Sequence, residues 1–452
     1  LLTLGVVAAG CIHNSKVKDT SFELPRSFAR DEAKRAAKEK VGRWWEVFGD
    51  ARLERLVAQA FAQNLELEQA RARLQQAQAQ LMASRAGWFP SIKGSGEAGR
   101  SKRIMSKQFQ FTSNTFSLSL AASYELDIFG RTYYGHQAAK HGLLAAEESL
   151  RAAYLSLAAQ VVETYHLAVA SRAQLALLDR TIENRQRLVE LVERRYRAGV
   201  VSALDLYQAQ STLEQARASR ESYLARLRTT EHALALLLGR YPGQIDPGAL
   251  DSLPDAVREL PAGVPSQLLL RRPDLRAAHR RLLAFDAQVG EALAAHFPSL
   301  SFSASIGQSF DPSGFFWNIL GNLTAPLFQG GQIHGEYKRR AAVLREQIAV
   351  FQSTLLQAVR EVEDAVVTGR AQQKRVEHLH KRAEAAEGAL RLSTDQYTQG
   401  LTSYLNVLTS EQSVYTAQAE LISARQELIS ARIQRARALG GGWMEREIER
   451  YR

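Results

Sequence analysis

The chain has 452 residues, and 58 lysines and arginines against 47 acidic residues give it a formal net charge of +11. Length alone would indicate about three domains, and the positive charge would suit nucleic acid, anionic lipid headgroups or an acidic partner. The basic residues are scattered along helical stretches, which predicts solvated helix faces and disfavours nucleic acid. The single cysteine excludes intrachain disulfides and cysteine-rich metal sites.

The chain opens with an apolar stretch, "LLTLGVVAAG", that ends in small residues just before Cys11. This stretch is too short to span a bilayer and resembles the end of a secretory signal. "AAGC" resembles a bacterial lipobox, although Ala8 stands where leucine is usual. We therefore expect residues 1–10 to be a signal-peptide remnant, truncated at its start, and residues 11–60 to be an N-terminal segment lipidated at Cys11. The alternative is a small hydrophobic residue at a frayed end.

Four segments alternate apolar and polar residues with the period of a strand, and we predict strands at about 91–99, 115–128, 299–307 and 315–328. In "SLSFSASIG", serines occupy one face, and leucine, phenylalanine, alanine and isoleucine occupy the other. After residue 11 no stretch of 18 or more uncharged apolar residues occurs, so any membrane crossing must use these strands.

The composition of the two strand faces suits a barrel wall with lipid outside and water inside. A soluble sandwich would also alternate, but its core face must meet another sheet, and the sequence offers no further convincing strands. Four strands cannot close a barrel, and open sheet edges are not tolerated in lipid. Several copies of the chain must therefore pool their strands.

The segment "GSGEAGRSKRIMSKQ" separates the first two strands, and we predict an enlarged loop there. Its first six residues, Gly94 to Gly99, match the dinucleotide-binding pattern GxGxxG. That pattern needs a helix N-terminus next to hold a pyrophosphate, and "RSKRIMSKQFQF" offers none. We therefore assign these glycines to a strand or its loop.

Two long stretches, from Gly130 to Ala198 and from Gly331 to Gln399, have helical composition without proline. Each would extend roughly 100 Å as one helix. A coiled-coil rod would give the same pattern, so the helices alone do not identify the class of protein. His378 and His380 are two residues apart and lie on different helix faces, which favours solvated surface histidines over a zinc site.

The long helices end in two similar turns, "RYRAGVVSALDLYQAQ" and "QYTQGLTSYLNVLTSE", which begin 201 residues apart. Gly199 and Gly400 suit the residue after a helix C-terminus, and Ser202 and Ser403 suit the N-cap of the helix that follows. Each turn therefore joins the two helices of a hairpin.

The similarity extends over an internal repeat of about 200 residues. We predict repeat 1 at 61–239, repeat 2 at 273–440 and a C-terminal tail at 441–452. A connector at 240–272 separates the repeats, because six of the 11 prolines fall between residues 242 and 273.

Four motifs carry a family resemblance: "YELDIFGR", "RRPDLRAAHRRLLAFDAQVGEALAAHFPSLS", "PLFQGGQ" and the closing "ALGGGW". From Trp44 onward the chain resembles the outer-membrane efflux proteins of the TolC family, in particular the OprM/NodT-like lipoprotein branch. The resemblance implies an α+β membrane protein with two tandem structural repeats per chain. It also implies a homotrimer, in which four strands per chain form a 12-stranded β-barrel that is continued by a long 12-helix periplasmic α-barrel.

The implied function is that of a passive duct in the Gram-negative outer membrane, without enzymatic activity and without a cofactor. It would carry drugs or other small molecules from an inner-membrane pump of the resistance-nodulation-division type, working with a periplasmic adaptor. The alternative is a soluble or peripheral helical coiled-coil scaffold without channel activity.

The resemblance also implies roles for the two turns, as a gate and as contacts with the adaptor. Leu405 matches the position of an apolar ring that closes the periplasmic end of the tunnel, and Tyr404 flanks it. Thr409 stands one turn below, where many relatives carry aspartate, so cation binding at this gate is disfavoured. Contacts with the adaptor are expected at the hairpin tips, at Gly199, Ser202, Asp205, Gly400, Ser403 and Asn406.

Overall fold

The computed structural model describes residues 13, 15, 43–104, 110–243, 253, 271–310, 313–440 and 444. Cys11 lies outside the described residues. The fold is α+β. Its helices are α1 (Ala51–Gln63), α2 (Leu65–Ser84), α3 (Arg131–Arg197), α4 (Ala203–Leu237), α5 (Pro273–Ala294), α6 (Gln332–Thr398) and α7 (Tyr404–Leu439), and its strands are β1 (Ser91–Ile104), β2 (Gln110–Leu126), β3 (Ser299–Phe310) and β4 (Ser313–Thr324).

The chain folds into two compact units, each built from three segments of the sequence. The sheet unit comprises Leu1–Glu23, Ala72–Ser149 and Asp274–Leu355, and the helical unit comprises Leu24–Arg71, Leu150–Pro273 and Leu356–Arg452. The units do not coincide with the two sequence repeats, because each repeat contributes residues to both units, and the residues of α3 and of α6 are divided between them.

The sheet is antiparallel in the order β1-β2-β3-β4, so that β1 and β4 are its edges within the described chain. The pairing register brings the apolar positions of neighbouring strands together: Leu120 lies opposite Ile306, which lies opposite Trp317. These side chains are exposed in the single chain. On the other face, the hydroxyls of Ser95 and Ser119 are 2.8 Å apart.

The strand predicted at about 91–99 is confirmed and runs further, so the prediction of an enlarged loop is wrong for residues 100–104, which also belong to β1. Ser91 pairs with Ser123 and Ile104 with Gln110, so the added residues lengthen the strand pair. Gly94 and Gly96 lie in the strand, with the side chains of Leu120 and Leu118 close above them.

The two long stretches form single helices, as predicted, and α3 and α6 both contain 67 residues. In the sheet unit, the carboxylate of Asp127 accepts hydrogen bonds from the backbone N–H groups of Thr132 (3.0 Å) and Tyr133 (2.7 Å). Asp127 thereby satisfies donors of the first turn of α3, which would otherwise lack partners. Within the described residues, every helix is too short or too polar to cross a membrane.

Candidate functional site at the ends of two helical hairpins

In the helical unit, α3 and α4 are joined by a tight turn at Gly199, whose φ is +74°. The backbone N–H of Val200 donates to the carbonyl of Arg195 at 2.9 Å, and that of Gly199 donates to the carbonyl of Tyr196 at 2.9 Å. This pattern closes the last turn of α3, and the left-handed backbone at its centre favours glycine.

Ser202 and Asp205 start α4 with a reciprocal capping box. The Ser202 hydroxyl accepts from the backbone N–H of Asp205, and the Asp205 carboxylate accepts from the backbone N–H of Ser202, both at 3.3 Å. A capping box satisfies two donors at the helix start. The Asp205 carboxylate therefore has a structural role at this tip.

The second turn, between α6 and α7, has the same glycine-centred backbone turn as the first but a different helix cap. Leu401 donates to the carbonyl of Gln396 at 2.9 Å around Gly400, whose φ is +77°. Ser403 caps α7 without a side-chain hydrogen bond to the described backbone. Asn406, at the position equivalent to Asp205, instead donates from its amide to the Thr402 hydroxyl at 2.6 Å.

The first turns of α7 have two distinct faces. Leu405 and Thr409, four residues apart, are both exposed, and Leu405 has 54% of its surface accessible. Tyr404, Val407 and Glu411 lie on the other face and are buried, with Tyr404 only 2% exposed. Residues three and four apart share a helix face, so Leu405 and Thr409 point away from the cluster that holds Tyr404.

An apolar cluster joins the two hairpins behind this face. Its buried members come from both hairpins: Val189, Val192, Ala209 and Leu213 from the first, and Tyr397, Tyr404 and Val407 from the second. Arg195 ties the hairpins further, because it donates to the carbonyl of Tyr397 at 2.9 Å and its guanidinium lies 4.6 Å from the centre of that ring. Burial, followed by the nearby Glu411 carboxylate, raises the pKa of Tyr404 to about 12, so its phenol stays protonated at neutral pH.

A buried ion pair lies next to this cluster. Arg185 of α3 donates to Glu411 of α7 at 3.3 Å, to the carbonyl of Thr212 at 2.7 Å and to the Gln412 side chain at 3.1 Å. One carboxylate oxygen of Glu411 is buried without a hydrogen-bond partner among the described residues. Burial raises the pKa of Glu411, and the Arg185 guanidinium opposes that shift. The arginine therefore links α3, α4 and α7.

Sequence reasoning missed Arg185, Glu411 and Tyr397 as parts of this site. A signal existed for Glu411, since it stands seven residues after Tyr404 and thus on the buried face of α7. Its partner is 226 residues away in the sequence, and no local pattern identifies such a pair.

Metal coordination finds no support in the described part of the chain, where no three His, Cys, Asp or Glu side chains lie close enough to hold an ion. His378 and His380 are both exposed on α6. The described hairpin ends contain an apolar cluster, helix caps and the buried Arg185–Glu411 pair.

Comparisons with known proteins place this geometry in a family. The family model described as "Outer membrane efflux protein" matches residues 56–240 and 264–441. The chain is 31% identical over 443 residues to outer membrane protein OprJ of Pseudomonas aeruginosa, covering 94% of this chain and 92% of OprJ. It is 29% identical over 413 residues to the cation efflux system protein CusC of Escherichia coli O6:H1, covering 89% and 88% of the two chains.

Among solved structures, the outer-membrane channel OprN superposes with a TM-score of 0.85 at 28% identity, over 94% of this chain and 98% of OprN. Fold and sequence thus define an outer-membrane channel protein. The chain belongs to the outer membrane efflux protein family. It is an efflux channel of the Gram-negative outer membrane.

We predict that the buried ion pair holds the two hairpins together. Glu411→Leu should destabilise the protein by about 3–5 kcal/mol, because it leaves the Arg185 charge buried without its partner. The double variant Arg185→Met/Glu411→Leu should recover most of that loss, since apolar side chains of similar volume often replace a buried pair at little cost. The measurement is the free energy of unfolding of the wild type, Glu411→Leu, Arg185→Met and the double variant, compared in a double-mutant cycle.

A matched control is Glu183→Gln, which breaks the exposed pair with Arg187 on the same helix and should change stability little. A double variant as unstable as Glu411→Leu would show that the ion pair does not link the hairpins.

Proposed function

We propose that three copies of the chain close one 12-stranded barrel, with β1 of one copy paired to β4 of the next. The observation that carries this proposal is a four-stranded sheet whose apolar face is exposed and whose two edges lack a neighbour among the described residues. Unpaired backbone groups cost several kcal/mol each in hydrocarbon, so the edges must pair. The number three rests on the family resemblance.

The proposed duct is passive and has no catalytic activity. Repeat 1 (61–239) and repeat 2 (273–440), joined by the connector 240–272, each supply two strands and one long helical hairpin per copy. Three copies supply 12 helices for a periplasmic tunnel.

The tunnel receives its cargo from an inner-membrane pump of the resistance-nodulation-division type through a periplasmic adaptor. CusC is described as a cation efflux protein. We do not extend cation transport to this chain, because Thr409 does not supply a ring of negative charge that would favour a cation.

We propose that Leu405 forms the narrowest ring of the periplasmic gate. Its exposure beside the buried Tyr404 supports this role, because a fixed tyrosine behind an exposed leucine holds that leucine in place. Three leucines near an axis can exclude hydrated solutes by packing and dewetting. Thr409 follows one turn along the same face and adds a polar ring.

The adaptor is proposed to meet the hairpin tips at Gly199, Ser202, Asp205, Gly400, Ser403 and Asn406. The two tips share their backbone turn but differ in their caps, Asp205 with Ser202 at one and Asn406 with Thr402 at the other. A carboxylate at the first tip and an amide at the second let an adaptor distinguish the two hairpins.

Single-channel conductance in planar bilayers tests the gate and the channel function together. Leu405→Ser should raise conductance several-fold, because it shortens and polarises the proposed ring. Leu204→Ser is the matched control: Leu204 is the equivalent residue of the first tip, is also exposed, and should leave conductance unchanged. If Leu405→Ser conducts like the wild type while its oligomer stays intact, Leu405 serves as a hydrophobic contact of its own turn and not as the gate.

We further propose that Cys11 is lipidated and anchors the N-terminus in the membrane. Two residues after it, His13 contacts Asp286 (3.0 Å) and donates from its backbone N–H to the Tyr134 hydroxyl at 3.3 Å. These contacts hold His13 within the sheet unit, two residues after the proposed anchor.

Mass spectrometry of the N-terminal peptide, from protein exported in a Gram-negative host with a complete signal sequence, checks the lipid anchor. We expect the mature chain to begin at Cys11 with acyl chains attached, whereas Cys11→Ser should lack them and still assemble through its strands. An unmodified Cys11 thiol in the exported protein would contradict the proposal.

A further inference from the structure

The end of the first strand pair carries positive charge on the same face as the apolar positions. Ala98 opposite Phe116 is the last apolar pair of β1 and β2. Arg100 follows two residues after Ala98, and Lys102 two residues after that. Side chains two apart in a strand share a face, so both cations lie on the face that carries the exposed Phe116 and Leu118.

The segment that contains Arg100 and Lys102 has no acidic residue. From residue 100 to residue 116 the chain contains four basic residues and neither aspartate nor glutamate. Arg100 and Lys102 are exposed. They lie opposite the neutral residues Asn114 and Thr112, and no ion pair joins either cation to another described residue. Their charge is available to a ligand.

The spacing along the strand gives the depth of these cations in a membrane. The apolar positions of β2 run from Leu126 to Phe116, which at about 3.4 Å per residue is roughly 34 Å along the strand. A tilt of about 45° reduces this to roughly 24 Å, which matches the apolar band of about 25 Å on membrane barrels. On the same scale, Arg100 and Lys102 lie roughly 5 and 10 Å beyond the band, in the headgroup layer.

We propose that Arg100 and Lys102 bind the phosphate groups of the phosphorylated glycolipid in the outer leaflet of the outer membrane. The proposal rests on the proposed barrel: the helices α3 and α5 connect to the opposite ends of β2 and β3, so this end of β1 faces the exterior. Arginine holds a phosphate through two parallel hydrogen bonds, and lysine adds a point charge beside it. The Asn114 amide and the Thr112 hydroxyl lie on neighbouring positions and can donate to the same group.

The second strand pair provides an internal contrast. Neither β3 nor β4 contains a charged residue, although both carry apolar residues on the corresponding face. Charge is therefore not a general feature of the strand ends. It occurs where β1 and β2 extend beyond the length of β3 and β4.

The test measures binding of bisphosphorylated lipid A to the purified, assembled protein in nonionic detergent. Removing each cation should weaken binding about fivefold, since a basic residue near an anionic lipid surface contributes about that factor. Arg100→Gln/Lys102→Gln should therefore raise the dissociation constant about 25-fold, and Arg100→Lys/Lys102→Arg should stay within about threefold of the wild type. Lys93→Gln is the matched control, because Lys93 of the same strand lies on the opposite face, across from Ala121.

Two further probes identify the ligand. Lipid A without phosphates should bind as weakly as bisphosphorylated lipid A binds to the double variant, and inorganic phosphate at the same concentration should not compete. The proposal is overturned if the double variant binds lipid A like the wild type, if dephosphorylated lipid A binds equally well, or if inorganic phosphate displaces the lipid. Single-channel conductance of the same variants separates the phosphate-site proposal from the barrel proposal. Unchanged conductance with lost lipid binding supports both proposals. A wild type that forms no channel contradicts the barrel, whereas phosphate-dependent lipid binding is judged by the binding measurement.

Discussion

The structure depends on one constraint, that a sheet edge cannot remain unpaired in hydrocarbon. Each backbone N–H or C=O without a partner there costs several kcal/mol, and β1 and β4 each present such an edge within the chain. The four strands in the described part of the chain are too few to remove these edges by closing on themselves. Assembly of several copies is therefore part of folding, and the exposed leucines, isoleucines and phenylalanines of the sheet become a lipid-facing surface only in that assembly.

Two sets of contacts hold the hairpin ends of the helical unit. Glycines with positive φ fix both turns locally, and a capping box adds to the first turn. The apolar cluster and the Arg185–Glu411 pair fix the hairpins to each other. Apolar side chains of similar volume often replace a buried pair at little cost, and one Glu411 carboxylate oxygen has no hydrogen-bond partner among the described residues. The pair therefore adds little net stability, although removing one partner alone is costly.

The sequence predicted the regular elements well, since a period of two in "SLSFSASIG" and long proline-free helical stretches report directly on strands and helices. It failed where pairing decides the conformation. The glycines at 94, 96 and 99 and the basic residues after them have the composition of a loop, yet β2 supplies backbone partners for residues up to Ile104. Local composition also cannot place Tyr404 in a core made by another hairpin, or pair Arg185 with a glutamate 226 residues away.

The number of copies in the assembled protein tests this account most directly. The mass of the purified protein in detergent, determined by light scattering with the detergent contribution subtracted, should equal three chains, and its strand content by circular dichroism should match the four strands of each chain. A monodisperse single chain that keeps its full strand content in detergent would contradict the account, because its sheet would then be stable with both edges open.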